Sequence, residues 1–171
     1  MKLIRYRRQN QIAHGAVVGG MVHSLTAGPW QSPRLGPAVM PLNEVQLLAP
    51  CEPTKIIAVG LNYRDHAEEQ NKPLPARPLL FSKATTCLQA HGLPIELPED
   101  LTQVDAEGEL AVVIGKPGRA ISRADARAHI AGYTCFNDVS QRNIQNSDRS
   151  GWFRGKSFDT FGPVGPCVVT A

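Results

Sequence analysis

The sequence predicts a mainly β protein with a few short helices, and three observations carry that expectation. Alternating or β-branched runs recur at Lys2–Tyr6, Ala16–Leu25, Lys55–Val59, Leu79–Lys83, Val104–Ile114 and Tyr133–Phe136, with the period and composition of strands. Helical patterning is confined to two short stretches, one running from Arg64 through Gln70 and one from Ser122 to near Gly132. Proline and glycine, 14 and 15 of the 171 residues, separate these runs into short pieces.

Residues 1–25 read as short strands. Lys2–Tyr6 alternates, and Ala16–Leu25 reads as a hairpin turning at Gly19-Gly20, a dipeptide that accepts positive φ. Residues 26–54 carry Pro29, Pro33, Pro37, Pro41, Pro50 and Pro53 and read as a connector with one short strand near Val45–Leu48. The expected division is therefore a small β domain and connector over 1–50, followed by a larger domain over 51–171. Lys55–Val59 ends at Gly60 and reads as a buried strand, after which Asn62 caps the first helix. Pro73, Pro75 and Pro78 make the next stretch an extended loop. Leu79–Lys83 returns as a strand, and Leu110–Ile114 is a near-continuous apolar run expected to be buried. Ser122 followed by Asp125 resembles a capping box for the second helix, and Tyr133–Phe136 is a strand ending in Asn137-Asp138.

Composition narrows the function. At 42% hydrophobic and 19% charged residues the chain can build a packed core. The formal net charge is only +3, and the densest basic cluster, Arg5, Arg7 and Arg8, reads as a solvated strand edge, so nucleic acid is not an expected partner. No apolar run approaches the roughly 20 residues that span a membrane. Cys51, Cys87, Cys135 and Cys167 are scattered and form no CxxC pair. That spacing fits free thiols in a reducing cytoplasm and speaks against zinc.

Two constellations carry chemistry. Glu107 and Glu109 stand two apart at the head of an apolar strand, so they share a face. Like charges beside a core repel and lose hydration, and a hard cation such as Mg²⁺ or Mn²⁺ would compensate them. Asp138, at the end of the next strand, offers a third carboxylate. On spacing alone, two solvated glutamates at an exposed strand start remain the simpler reading. His66 and Glu69 are three apart on one helix face, where a carboxylate can orient an imidazole that takes a proton from water. A surface histidine beside a helix-stabilising glutamate fits the same spacing. Lys156 lies in Gly155-Lys156-Ser157, which lacks the preceding glycine-rich stretch of a P-loop. It reads equally as a receiver of a substrate carboxylate or as a solvated turn lysine.

Taken together, the strings Ile57-Ala58-Val59-Gly60-Leu61-Asn62-Tyr63-Arg64-Asp65-His66-Ala67, Val104-Asp105-Ala106-Glu107-Gly108-Glu109-Leu110, Asn137-Asp138-Val139-Ser140 and Gly155-Lys156-Ser157-Phe158-Asp159 resemble the signature segments of the fumarylacetoacetate hydrolase family. The resemblance runs from about Leu47 to Ala171, and the first 50 residues are similar to the small β domain of bacterial members. It implies a mixed β-sandwich roll. It also implies Glu107, Glu109 and Asp138 as ligands of Mg²⁺ or Mn²⁺, His66 with Glu69 as the catalytic pair on a lid segment, and Lys156, Gln145 and Arg142 as substrate-binding residues. The implied substrate is a small 2-keto acid or diacid, of the kind met in aromatic catabolism. The implied chemistry is C–C hydrolysis of an acylpyruvate or decarboxylation, with isomerisation of a hydroxy-diene dioate as the alternative; all three pass through an enolate. Homodimers are the implied assembly. Family members usually place an aromatic residue before the first metal glutamate, and Ala106 here implies a wider site. They also continue further, which implies a C-terminally incomplete domain, either a fragment or a truncated remnant that acts as a binding module.

Overall fold

A computed structural model describes residues 1–69, 71–99, 102–150 and 152–171, and of His66 only the backbone. The expected helix end at Gln70 lies outside the described residues. The strands are β1 (Lys2–Arg8), β2 (Gln11–Val18), β3 (Met21–Leu25), β4 (Leu35–Pro41), β5 (Gln46–Leu47), β6 (Ile56–Gly60), β7 (Leu79–Lys83) and β8 (Leu88–Ala90). They continue as β9 (Val104–Asp105), β10 (Gly108–Ile114), β11 (Ile130–Asn137), β12 (Ser140–Gln141) and β13 (Gly162–Thr170). The helices are α1 (Arg64–Glu69), α2 (Arg142–Ser147) and α3 (Phe153–Lys156).

One nine-stranded sheet runs in the order β10-β11-β13-β1-β2-β3-β4, with β5 added to β1 and β8 to β13. β1 joins its two halves, because Lys2 and Leu3 pair with Val169 and Val168 of β13 while the whole strand also pairs with β2. Leu3 and Ile4 are consecutive and therefore point to opposite faces, yet both are buried. Leu3 packs with Ala16 and Val168, and Ile4 with Tyr6 and Val22, so apolar cores cover β1 on both sides. A third core under the site holds Cys87, Val139 and Phe161. Burying a side chain such as the fully enclosed Phe161 contributes about 1.5–3 kcal/mol.

The β2–β3 hairpin turns at Gly19 and Gly20 as the sequence suggests, both at positive φ (55° and 78°). Other expectations need correction. The connector is not only loop, since β4 lies within it and carries Pro37 and Pro41. Among the described residues β4 pairs with β3 alone, at the sheet edge, where a missing N–H is tolerated. Arg7 and Arg8 are solvated, but β1 is not an edge, and Arg5 is largely buried against Glu52 (2.6 Å). The expected second helix is a single 3-10 turn, Ala126–His129. The Ser122–Asp125 cap forms (2.6 Å), but pairing with β10 and β13 takes the chain into β11 from Ile130. Gly132 therefore ends no helix: it lets β11 approach Val169 so closely that a Cβ would strike that residue's carbonyl.

The apolar runs expected to be buried are half exposed. β10 is the free edge of the sheet, and Leu110, Val112 and Ile114 are 64%, 47% and 64% exposed. In β6, Ile57 is 56% exposed, because β6 and β7 form a separate two-stranded sheet covered on one side only.

Candidate metal centre and substrate cleft

The site is built where two strands change sheets together. β9 pairs with β12, whereas β10 pairs with β11, so the chain crosses between sheets at Ala106-Glu107 and again at Asp138-Val139. The expected continuous strand from Val104 to Ile114 is thus broken at Glu107. Two hydrogen bonds hold the break: Asp138 N–H donates to the Glu107 backbone carbonyl (2.9 Å), and Glu107 N–H donates to the Asn137 side-chain Oδ1 (2.9 Å). The corner turns Glu107, Glu109 and Asp138 toward one point, with one carboxylate oxygen of each within 4.8 Å of the others.

Three cationic side chains surround this cluster. Lys156, the last residue of α3, donates to Asp138 Oδ2 (2.6 Å), Ser140 Oγ (2.6 Å) and Glu107 Oε2 (3.1 Å). Lys83, the last residue of β7, donates to Asp138 Oδ1 (2.6 Å), to Phe161 O (3.1 Å) and to Lys156 O. Arg142 opens α2 and donates to Asp105 Oδ2 (2.7 Å) and Gln145 Oε1 (2.9 Å). Its Nη1 also lies 2.6 Å from Glu107 Oε1. That contact is a charge pair without hydrogen-bond geometry, so the buried Oε1 keeps an unused acceptor. Gly155 lets α3 close on α2, since a Cβ there would meet Gln145 N at 2.8 Å. That approach sets Lys156 beside Gln145.

The electrostatics follow from this packing. Burial, then the charges of Asp138 and Glu107, push the Glu109 carboxyl up to about 7, against the opposing pull of Lys156 and Lys83. Burial pushes the Lys83 ammonium below the usual lysine range, against the attraction of Asp138. Burial also acts against the Arg142 guanidinium, yet Asp105 and Glu107 together hold it above its usual range. Three converging carboxylates, one with a buried oxygen that accepts no hydrogen bond, form a donor set that fits a hard divalent cation.

A cavity of about 640 Å³ opens over the cluster. Glu107, Glu109, Asp138, Arg142, Gln145, Lys156 and Glu69 all line it, so the structure brings these site residues together around one cavity. The His66 side chain lies outside the described residues; its backbone is in α1, with Glu69. Lys156 is not a solvated turn lysine, being 3% exposed with its donors directed at the acidic cluster. Val59, Phe81, Trp152 and Ala106 also line the cavity, and the Lys156 ammonium lies over the Phe81 ring, 5.2 Å from its centroid. Gly60 makes room for Trp152, since a Cβ there would overlap the indole ring, and Trp152 meets Phe81 edge-on with centroids 5.3 Å apart.

Sequence reasoning missed Lys83, Ser140, Asp105 and Trp152. Lys83 leaves one trace: it sits two residues after Phe81 in a short strand that begins Leu79-Leu80-Phe81, hence on the same strand face as that ring. Nothing in the linear pattern marks Trp152 as a cavity wall.

A mainly β scaffold that gathers three carboxylates and three cationic side chains under an open cleft defines a class of candidate metal-site protein. Comparison with known proteins makes the class specific. Residues 55–171 match the family described as fumarylacetoacetate (FAA) hydrolase C-terminal, and residues 1–50 match Rv2993c-like, N-terminal. The chain belongs to the fumarylacetoacetate hydrolase family, and its fold is of that family's type. It is 49% identical over 135 residues to the mitochondrial oxaloacetate tautomerase FAHD2A of Bos taurus, covering 77% of this chain and 43% of the relative. It is also similar to the 5-carboxymethyl-2-hydroxymuconate delta-isomerase of Mycobacterium smegmatis, with TM-score 0.88, 38% identity and coverage of 99% of this chain and 67% of that one. A third similarity is to the maleylpyruvate hydrolase of Sphingobium sp. SYK-6 in complex with manganese(II) ion and pyruvate, with TM-score 0.74, 28% identity and coverage of 100% and 67%. The chain spans about half the length of the relatives it matches in sequence. Among the described residues, no helix is long and apolar enough to cross a membrane.

Proposed function

We propose that this chain supplies the cation site and substrate cleft of an enzyme that moves a proton at the carbon beside the keto group of small 2-oxo dicarboxylic acids, with oxaloacetate as the simplest member. The observation that carries this reading is the convergence of Glu107, Glu109 and Asp138 beneath a cleft that also presents Arg142 and Gln145. A divalent cation held by the three carboxylates would supply Lewis acidity to the keto oxygen, where negative charge develops. Arg142 suits the carboxylate end of the substrate, because a guanidinium recognises a planar carboxylate through two donors. Gln145 sits beside it and already accepts from it, so the two orient one substrate group together. Glu69 faces the same cavity as a proton acceptor, and the expected role of His66 is to share that proton transfer.

Lys83 and Lys156 pair with Asp138, and Arg142 pairs with Glu107 and Asp105. With Glu109 and the cavity-lining Glu69 included, five carboxylates face three cationic side chains, so a dipositive ion would bring the site to balance and an anionic substrate group would be received locally at Arg142. The tautomerase and isomerase relatives support proton transfer as the first reading. C–C hydrolysis, or decarboxylation of the same keto acids, is the second, favoured by the hydrolase relative that holds manganese and pyruvate. The exposed row Leu110, Val112 and Ile114 on β10 supports pairing of two copies. Four free cysteines support a reducing compartment.

The test is the interconversion of enol and keto oxaloacetate, followed by ultraviolet absorbance with Mn²⁺ or Mg²⁺ present. Glu109→Gln and Glu69→Gln should each slow it by roughly 10²-fold or more. Wild-type rates in both variants would remove these assignments. Activity on acylpyruvate or maleylpyruvate, with none on oxaloacetate, would favour the hydrolase reading.

A further inference from the structure

We propose that Lys83 is a positioning residue for the cation site, holding Asp138 and the end of α3 in the one arrangement that lets the carboxylates converge. The inference rests on the reading of Asp138 as a cation ligand. Lys83 comes from β7, a strand that supplies none of the three carboxylates, and its side chain is 0% exposed. Among the described residues that line the cavity it is absent. An ammonium has three donors, and here all three are spent: on Asp138 Oδ1, on Phe161 O and on Lys156 O.

Those acceptors belong to three separate parts of the site: the corner after β11, the loop before β13, and the end of α3. One buried ammonium therefore pins all three to a common point. The two oxygens of Asp138 go to different lysines, Oδ1 to Lys83 and Oδ2 to Lys156. Two anchors on one carboxylate fix its plane, whereas one would leave it free to rotate about the bond to Cβ. Because Lys83 also donates to the Lys156 carbonyl, the second anchor is held by the first. The Phe136 ring, 5.8 Å from Nζ, closes the remaining side with an apolar face that favours a cation. A guanidinium carries the same charge but is a planar fork, and it cannot direct three donors at acceptors gathered around one atom. The role is therefore set by geometry as well as by charge.

The experiment titrates Mn²⁺ into the intact protein by electron paramagnetic resonance or calorimetry, using wild type, Asp138→Asn, Lys83→Met and Lys83→Arg. Near-UV circular dichroism and thermal melting are recorded alongside. Wild type should bind, Asp138→Asn should lose binding, and both Lys83 variants should bind roughly 10–100-fold more weakly while keeping the native near-UV spectrum. A purely structural lysine would lower the melting temperature without changing the Mn²⁺ affinity of the folded protein. That outcome overturns the proposal and leaves the cation site standing. Should Lys83→Met not fold, Lys83→Arg decides: wild-type affinity there shows that charge alone suffices, and the positioning role fails. No Mn²⁺ binding by wild type would instead remove the cation reading itself, and this inference with it.

Discussion

The N-terminal sheet and the acidic cluster use charge in opposite ways. In the first, Arg8 at the end of β1 pairs with Glu44 of the 3-10 turn Leu42–Glu44 at 3.1 Å, both side chains about half exposed, in a region already held by ladder bonds and two apolar cores. In the second, Lys83, Asp138 and Lys156 interlock at 2.6 Å with each side chain no more than 3% exposed. An exposed pair exchanges water for a partner at little net gain, whereas a buried one loses hydration that only its partners restore. Removing Asp138 from this set leaves Lys83 with carbonyl partners alone and Lys156 with Glu107 as its carboxylate, so buried charge is left under-compensated. The difference teaches where this protein accepts desolvation: not where the sheet needs joining, but where carboxylates must be crowded around one point.

Three measurements would break or sharpen that contrast. The largest effect belongs to Asp138→Ala, which takes from the buried Lys83 the carboxylate it pairs with and leaves Lys156 only Glu107 to oppose its charge. It should lower stability by about 3–5 kcal/mol in denaturant unfolding with chelator present. A loss below about 1 kcal/mol would mean that the cluster reorganises freely and is not interlocked.

An intermediate effect is expected from pH. Glu109 titrates near 7 in the folded protein, above its ordinary value of 4.5, so the proton it holds must leave before the carboxylate can bind a cation. Mn²⁺ affinity should rise between pH 6 and pH 8 by about five- to tenfold, the growth in the ionised fraction of one such group. The sign for stability is opposite. Without a cation, the raised value favours the folded state at low pH, and that contribution is lost as pH climbs from about 4.5 through 7. A flat affinity profile across this window would show that the carboxyl is not held in its acid form.

The smallest effect belongs to Arg8→Ala. Its pair with Glu44 should contribute less than about 1 kcal/mol, and that contribution should shrink further in high salt. A loss of several kcal/mol would place structural weight on the N-terminal charges and erase the contrast.

What the sequence determined by itself was local. Alternation along Lys2–Tyr6, the Gly19-Gly20 turn, and the existence and type of the strands at 56–60, 79–83 and 133–136 follow from side-chain period and backbone freedom, which neighbouring residues settle among themselves. The carboxylates of the site were also legible, because Glu107 and Glu109 are two apart and Asp138 ends a strand. Their convergence was implied by the family resemblance alone, and residue spacing could not show it. That convergence depends on two strands changing sheets at the same corner, and the expected unbroken strand through Glu107 would have lacked that corner. The exposure of Leu110, Val112 and Ile114 likewise depends on β10 being an edge, a property of the sheet and not of the strand. The second helix failed for the same reason: a sound Ser122–Asp125 cap was overruled by partners in β10 and β13. Lys83 is the sharpest case. Its partner Asp138 lies 55 residues away, and no periodicity in a single strand can report a charge that arrives from another part of the chain. Local conformation is encoded in short windows, whereas burial, edge position and charge pairing exist only once distant segments have met.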